Sequence, residues 1–453
     1  MTECSENRFE FASNGGARKV VAEFSGGTIS SDGGGLLLQE IDAKMNLLGR
    51  FSQCFIDGRN PILIEHSVEQ LVRQRVYALA LGYEDLNDHE QLRQDPLLAL
   101  LAGKAEPGAE PLAGKSTLNR MELGTGLPNR YKKITFWRDS IDELLVHVFL
   151  EAQATAPDEI VLDIDTTDMA LHGNQEGRFY HGYYHHYCYL PLYIFCGDHV
   201  LCARLRPSSI GPAVGSVKEI QRVVQQIRQR WPEVRIILRG DSGFCVDEIM
   251  TWCEQNRVHF VLGMARNQRL EGLIAAALAQ AQQQFESTQK PARVFIEFHH
   301  ETLSGSWSRK RRVVAKAEHL DGKSNPRFIV TSLDSESWEK QKLYEELYCA
   351  RGDMENRIKE QFVLFADRVS AATLRANQLR IYFSVVAYTL MNGLRRLGLR
   401  ATALATAQVG TIRLRLLKIG ALVRVTVRKV WVRMASSYPY QALFSEVLRQ
   451  LRT

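Results

Sequence analysis

Two stretches constrain this chain more than any others. "IVLDID" (160–165) and "VRIILRGD" (234–241) are nearly unbroken apolar runs, and each ends in a carboxylate. Short β-branched runs of this kind read as strands buried on both faces of a sheet. Around them, "CYLPLYIFCGDHVLCARLRP" reads as two strands joined at Gly197-Asp198. In "GSVKEIQRVVQQIRQRW", Val217, Ile220, Val224, Ile227 and Trp231 recur at helical spacing. A helix over 246–256, a strand "HFVLGMA" and a long Ala/Gln-rich helix follow. The order strand, strand, strand, helix, strand, helix, strand, helix predicts an α/β core, a mixed sheet flanked by helices, over 151–290.

At 453 residues the chain exceeds one ordinary core, so further regions are expected on both sides. Residues 1–150 read as mainly helical after an early strand, "KVVAEF"; a Ser or Asp cap precedes "GLLLQEIDAKM", and "HSVEQLVRQRVYALALGYEDLNDHEQLRQ" reads as helix, turn, helix. Packed amphipathic helices and a DNA-reading helix-turn-helix are both compatible with that pair. The triplet Gly114-Lys115-Ser116 is no phosphate loop, because Ala109 stands where its first glycine belongs. Residues 291–336 turn β-rich ("RVFIEF", "RRVVAKAEH", "RFIVTSL") and interrupt the alternation as an insertion. Helix returns over 337–375 and continues into a basic, helical C-terminal region, 376–453.

Charge is unevenly distributed. The formal net charge is +6, yet from Met391 onward twelve Lys or Arg face a single acid, Glu446. A second basic cluster, "SRKRRVVAK" (308–316), follows Trp307. Two basic clusters interleaved with aromatics point to a polyanion such as nucleic acid. No apolar run approaches the ~20 residues of a membrane span, and "MTECSENRFEF" lacks the basic-then-apolar pattern of a secretory signal. Eight cysteines without a CxxC pair fit reduced thiols in a cytoplasm. His181, His185, His186 and Cys188 match no common zinc spacing and read as the start of a strand.

The acids carry the chemistry. Asp163 and Asp165, two apart on a strand, face the same side of the sheet. A dry core tolerates neither unless it is paired or bound to a cation. Asp241 ends the other apolar strand, and ligands of α/β sheets gather at carboxyl ends of strands. In "YCARGDMENRIKEQF", Tyr348, Arg351, Glu355, Lys359 and Phe362 lie three or four apart, giving one helix face with a carboxylate in its middle. Two divalent ions roughly 4 Å apart, held by such oxygens, perform phosphodiester cleavage or transfer, and hard oxygen donors suit Mg²⁺ or Mn²⁺.

This ordered set resembles the DDE transposases of bacterial insertion sequences: Asp165-Thr166-Thr167 after a strand, Asp241 after the fourth strand, a β insertion, then Tyr-x-x-Arg-x-x-x-Glu. "LRGDSGFC", "HGYYHHYCYLPLYIF", "SWSRKRRVVAKAEHL" and "RGDMENRIKEQ" resemble the insertion-sequence 1380 type in particular, over nearly the whole chain. The resemblance implies an RNase H-like fold, with Asp165, Asp241 and Glu355 as a triad holding two Mg²⁺ ions, Mn²⁺ substituting. Tyr348 and Arg351 would orient a DNA end. A Lys is expected seven positions after the Glu, where this chain has Phe362, leaving Lys359 as its substitute. Asp163 stands as the rival first ligand. Trp307, with Trp338 second, would stack on a base beside Arg309, Arg311 and Arg312 as phosphate contacts. The implied activity is recognition of terminal inverted repeats in double-stranded DNA, metal-dependent cleavage and joining of the freed 3′-hydroxyls to target DNA. That work needs a homodimer on the paired ends, in the bacterial cytoplasm at the nucleoid, with no membrane involved. A nuclease without strand transfer and an inert DNA-binding relic are the alternatives.

Overall fold

The computed structural model describes residues 8–12, 19–104, 106, 110–303 and 305–452. The chain divides into two compact units, one of residues 1–52, 59–120 and 393–453, the other of 53–58 and 121–392. The two terminal regions thus belong to one unit.

The larger unit is built on a nine-stranded mixed sheet. A helix α1 (Arg138–Glu151) precedes β1 (Glu159–Thr166), β2 (Leu192–Cys196) and β3 (His199–Arg204), after which come α2 (Ser216–Arg230), β4 (Arg235–Gly240), α3 (Asp247–Gln255), β5 (Val258–Met264) and α4 (Ala275–Thr288). This is the predicted element order. β1, β2 and β3 are antiparallel neighbours, whereas β4 lies parallel to both β1 and β5.

The β-rich insertion does not form a separate sheet. Its strands β6 (Ala292–His300), β7 (Arg311–Leu320) and β8 (Arg327–Thr331) extend the same sheet beyond β5, in the order β3-β2-β1-β4-β5-β8-β7-β6, with the short strand Lys323–Ser324 beside β7. The open edge of β5 explains this: its backbone groups need partners, and the antiparallel β8 supplies them.

Side-chain alternation sorts the core. Ile160, Leu162, Ile164, Ile236, Leu238, Phe260 and Leu262 face one cluster, which Ile220, Val223, Val224 and Ile227 of α2 complete. Ile237, Val261, Val314 and Ile329 face the other, covered by Leu343, Tyr344 and Leu347. Asp163, Asp165 and Arg239 share the parity of the second face. They therefore meet the segment that leads into α5 (Gly352–Val363).

The long helix α6 (Leu374–Gly398) supplies Leu374–Asn392 to this unit and its last turns to the other. In the other unit, helix Val68–Leu81 is capped by a reciprocal Ser67/Gln70 box and ends at Gly82, whose φ of 99° suits glycine. Helix Gly35–Met45 has no side-chain cap, contrary to the Ser/Asp expectation, because Asp32 instead accepts from the Tyr83 hydroxyl at 2.6 Å and pairs with Lys418 at 2.7 Å. The C-terminal region also departs from the helical expectation. It contains an antiparallel hairpin, β9 (Ala421–Val425) and β10 (Val430–Met434), joined to the strand Ile29–Ser30. No helix among the described residues is long and apolar enough to cross a membrane.

Candidate active site

Asp165, Thr166 and Thr167 at the end of β1, Asp241 just beyond β4, and Arg351 and Glu355 near the start of α5 border one cavity of about 330 Å³. Ile358, Lys359 and Phe362 complete its wall from the same helix face. The predicted face of α5 is therefore real from Arg351 onward, and Lys359 shares the cavity with the Phe362 that replaces the expected lysine.

The two neighbouring aspartates have different surroundings. Asp163 accepts from Arg239 Nε at 2.5 Å and Nη2 at 2.8 Å, and Arg239 Nη1 donates to the Leu347 carbonyl at 2.5 Å. Both side chains are buried, so this closed pair joins β1 to β4. Both Asp163 oxygens are thereby engaged by one guanidinium. Asp165 has no such dedicated partner: its Oδ1 accepts the Thr166 N–H at 2.8 Å, and its Oδ2 accepts from Arg351 Nη1 at 2.9 Å. Arg351 Nη2 also reaches Glu355 Oε1 at 3.3 Å. Asp241 Oδ1 accepts the Gly243 N–H at 2.8 Å, which fixes the turn after β4.

Burial pushes the Asp165 carboxyl up to about 6; Arg351 opposes the rise, while the charges of Asp241 and Glu355 add to it. The cavity thus concentrates carboxylates against their mutual repulsion, and one guanidinium bridges two of them. Among the described residues, no three His, Cys, Asp or Glu side chains are already gathered tightly enough to hold an ion. The donor chemistry suits a hard divalent cation. Glu355, half exposed at the border of the cavity, is engaged with Arg351.

Tyr348 departs from the predicted face. A wide π turn over Leu343–Tyr348 and a tight turn over Cys349–Arg351 precede α5, so Tyr348 is out of phase with the cavity wall. Its hydroxyl lies against Gly263: a Cβ built there would be 2.5 Å from it and 2.9 Å from the Ser242 nitrogen. Tyr348 and the turn that carries Asp241 thus both close on Gly263. Sequence reasoning missed Arg239 and Gly263. Arg239 was detectable in principle, since a charge inside an apolar strand demands a partner; nothing in the sequence marks Gly263.

The expected stacking and phosphate-contact residues of the insertion are placed differently. Trp307 is 8% exposed, part of the core, edge-on to His300. Arg311 is buried and bonded to Asp247 at 2.7 Å and Glu254 at 2.8 Å, and Arg309 pairs with Glu254 at 3.2 Å. Arg312 binds Glu297 and the carbonyls of Leu333, Asp334 and Trp338. Trp338 is half-buried against the second core cluster. The aromatic surface lies instead on a hairpin of strands Phe179–His181 and His186–Tyr189, whose tip residue Tyr183 is 80% exposed. That hairpin leaves the same end of β1 as Asp165, and His186 Nε2 lies 2.9 Å from Asp168 Oδ2. A larger cavity of about 670 Å³ beside α1 and α2 is lined by charges already engaged with one another, Arg204 with Asp142 and Glu219, and Arg222 with Glu219.

The family model of the transposase DDE domain group 1 matches residues 12–453. This chain belongs to that family. Among solved structures, the transposase is similar to the piggyBac transposase of a synaptic complex with hairpin DNA, at a TM-score of 0.43 and 10% identity, covering 94% of this chain and 82% of that one. No curated protein matches the transposase.

Proposed function

We propose that this transposase binds the terminal inverted repeats of its own insertion sequence, cleaves them with divalent metal and joins the 3′-hydroxyl ends to target DNA, as a member of the 1380-type branch. Its core reads as RNase H-like: three antiparallel strands, β3-β2-β1, are followed by β4 and β5 parallel to the first. The observation that carries the reading is that acids from three separate elements, Asp165, Asp241 and Glu355, border one cavity.

Asp165, Asp241 and Glu355 would hold two Mg²⁺ ions, with Mn²⁺ able to replace them. When bound, the ions activate the attacking oxygen and stabilise the leaving one. The chain's own residues position the DNA. Arg351 presents a planar fork suited to phosphate oxygens once its carboxylate partners are otherwise engaged, and Lys359 adds a second cation one turn along the same face. Asp241 is held in place by its own turn. Water and then a 3′-hydroxyl would use the same cavity, and two copies would pair the two element ends in the bacterial cytoplasm.

The test is cleavage of duplex DNA carrying the element's terminal repeats. Asp241→Asn should lose metal-dependent cleavage to the limit of detection and keep DNA binding; normal cleavage by this variant would overturn the assignment. With precleaved ends, the wild-type protein should form a covalent joint to target DNA. Cleavage without joining would identify a nuclease, and binding without cleavage an inert relic.

A further inference from the structure

We propose that the hairpin β9–β10 is a preformed arm that enters the major groove of duplex DNA. This rests on the DNA-directed function proposed above, and adds where on the terminal unit the duplex is held.

The argument begins with what the basic C-terminal residues already do. Arg413 donates to the carbonyls of Ala80 and Leu79, at the end of helix Val68–Leu81. Lys418 pairs with Asp32, Arg395 donates to the Ala407 carbonyl, and Arg449 pairs with Glu446. These cations hold the unit together. Arg424, Arg428, Lys429 and Arg433 are different: all four are exposed, and no carboxylate among the described residues pairs with them. All four lie on one hairpin.

The hairpin is also built to stay in shape. Ala421 and Leu422 pair with Ser30 and Ile29, and Val423 N–H reaches the Thr28 carbonyl at 2.9 Å. Beyond Val423 no third strand among the described residues accompanies the pair, so Arg424 to Trp431 form a two-stranded ribbon, with Arg433 at its base opposite Leu422. Thr426 and Lys429 exchange backbone hydrogen bonds at 2.9 and 3.3 Å, and the Thr426 hydroxyl donates to the Lys429 carbonyl at 2.7 Å. The tip is closed before any partner arrives, which lowers the ordering cost of binding.

The register places Arg424 opposite Trp431 and Leu422 opposite Arg433 on one face. That face is cationic around a half-exposed indole, over which Lys429 Nζ sits 5.6 Å from the ring centre. At the tip, Val427 is fully exposed between Thr426 and Arg428. Four unneutralised cations on a strip two strands wide complement phosphate rows, and a two-stranded ribbon fits the B-form major groove but not the narrow, deep groove of A-form RNA.

The experiment is the salt dependence of full-length protein binding to a duplex of the element's terminal sequence. Each phosphate contact contributes about 0.9 to the log–log slope, so the combined variant R424A/R428A/K429A/R433A should lower the slope by roughly 3 to 4. Val427→Glu, which places a carboxylate at a fully exposed tip, should weaken binding without altering the melting temperature. A second combined variant, R230A/K290A/K323A/K133A, has the same net charge and should leave the slope unchanged. An unchanged slope in the hairpin variant, or an equal fall in the second variant, overturns the arm. An equal loss of affinity for an A-form RNA duplex of the same sequence overturns the groove assignment. If the wild-type protein itself fails to bind the duplex at low salt, the underlying function fails rather than the arm.

Discussion

Two segments of this transposase share a composition and differ in fate. Trp307 to Arg312 and Arg424 to Arg433 each set a tryptophan among arginines and lysines. In the first, Asp247, Glu254 and Glu297 neutralise the arginines and the indole is buried. In the second, no carboxylate among the described residues pairs with a cation, and the indole is half-exposed. The difference arises from the elements packed alongside: α3 brings Asp247 and Glu254 to the insertion, whereas the C-terminal region has only Glu446, already taken by Arg449. A basic segment becomes a nucleic-acid surface only where the fold leaves its charge unpaired. Asp163 and Asp165 repeat the contrast with the sign reversed, since Arg239 closes off one and leaves the other in the cavity.

The largest effect should come from breaking the buried network. Arg311→Ala leaves Glu254 with only the exposed Arg309 and Asp247 with only Ser308 and Thr251 as partners, and should cost about 3 kcal/mol or more in urea denaturation, with DNA affinity unchanged. A loss of DNA affinity without a loss of stability would reverse the assignment of this segment. Close behind, Trp307→Ala should destabilise by about 3 kcal/mol, against roughly 0.5 kcal/mol or less for Trp431→Ala. Equal costs would erase the distinction between the two tryptophans.

A third effect depends on pH. Folded Asp165 titrates at about 6, above its value of 3.8 in an unfolded chain. Between these values the folded state holds more protons, so stability falls as pH rises. The contribution is complete below about 4 and lost above about 6. Asp165→Asn, which mimics the protonated form, should therefore match the metal-free wild-type protein near pH 4. By pH 7 it should exceed wild type by on the order of 3 kcal/mol. Adding Mn²⁺ should raise the melting temperature of the wild type and not of the variant. A gap that stays flat with pH would show that Asp165 is not the strained acid.

Much of the core was legible because strands buried on both faces leave unbroken apolar runs, and an acid at the end of such a run is conspicuous. Asp165 and Asp241 stand out on that basis, whereas Glu355 is marked by its helix face and by the family resemblance; residue spacing alone does not separate Asp163 from Asp165, and in the structure Arg239 pairs with Asp163. Tyr348 falls off the expected helix face because a π turn shifts helical phase without a compositional mark. Trp307 was misjudged because the acids that neutralise its neighbours lie some sixty residues away in sequence, Asp247 and Glu254 against Arg311. The hairpin was overlooked for a different reason. Its alternation, Val423, Val425 and then Val430, Val432, is strand-like, but the density of arginine drew attention to charge rather than period.

Gly263 has a consequence for the history of the chain. A methyl at 263 would meet not only the Tyr348 hydroxyl at 2.5 Å but also the Ser242 backbone nitrogen at 2.9 Å, so losing the hydroxyl alone does not make room for it. Position 348 can lose its hydroxyl without a clash, whereas alanine at 263 pushes on the Asp241 turn whichever residue stands at 348. Descendants should therefore keep glycine at 263 while position 348 varies.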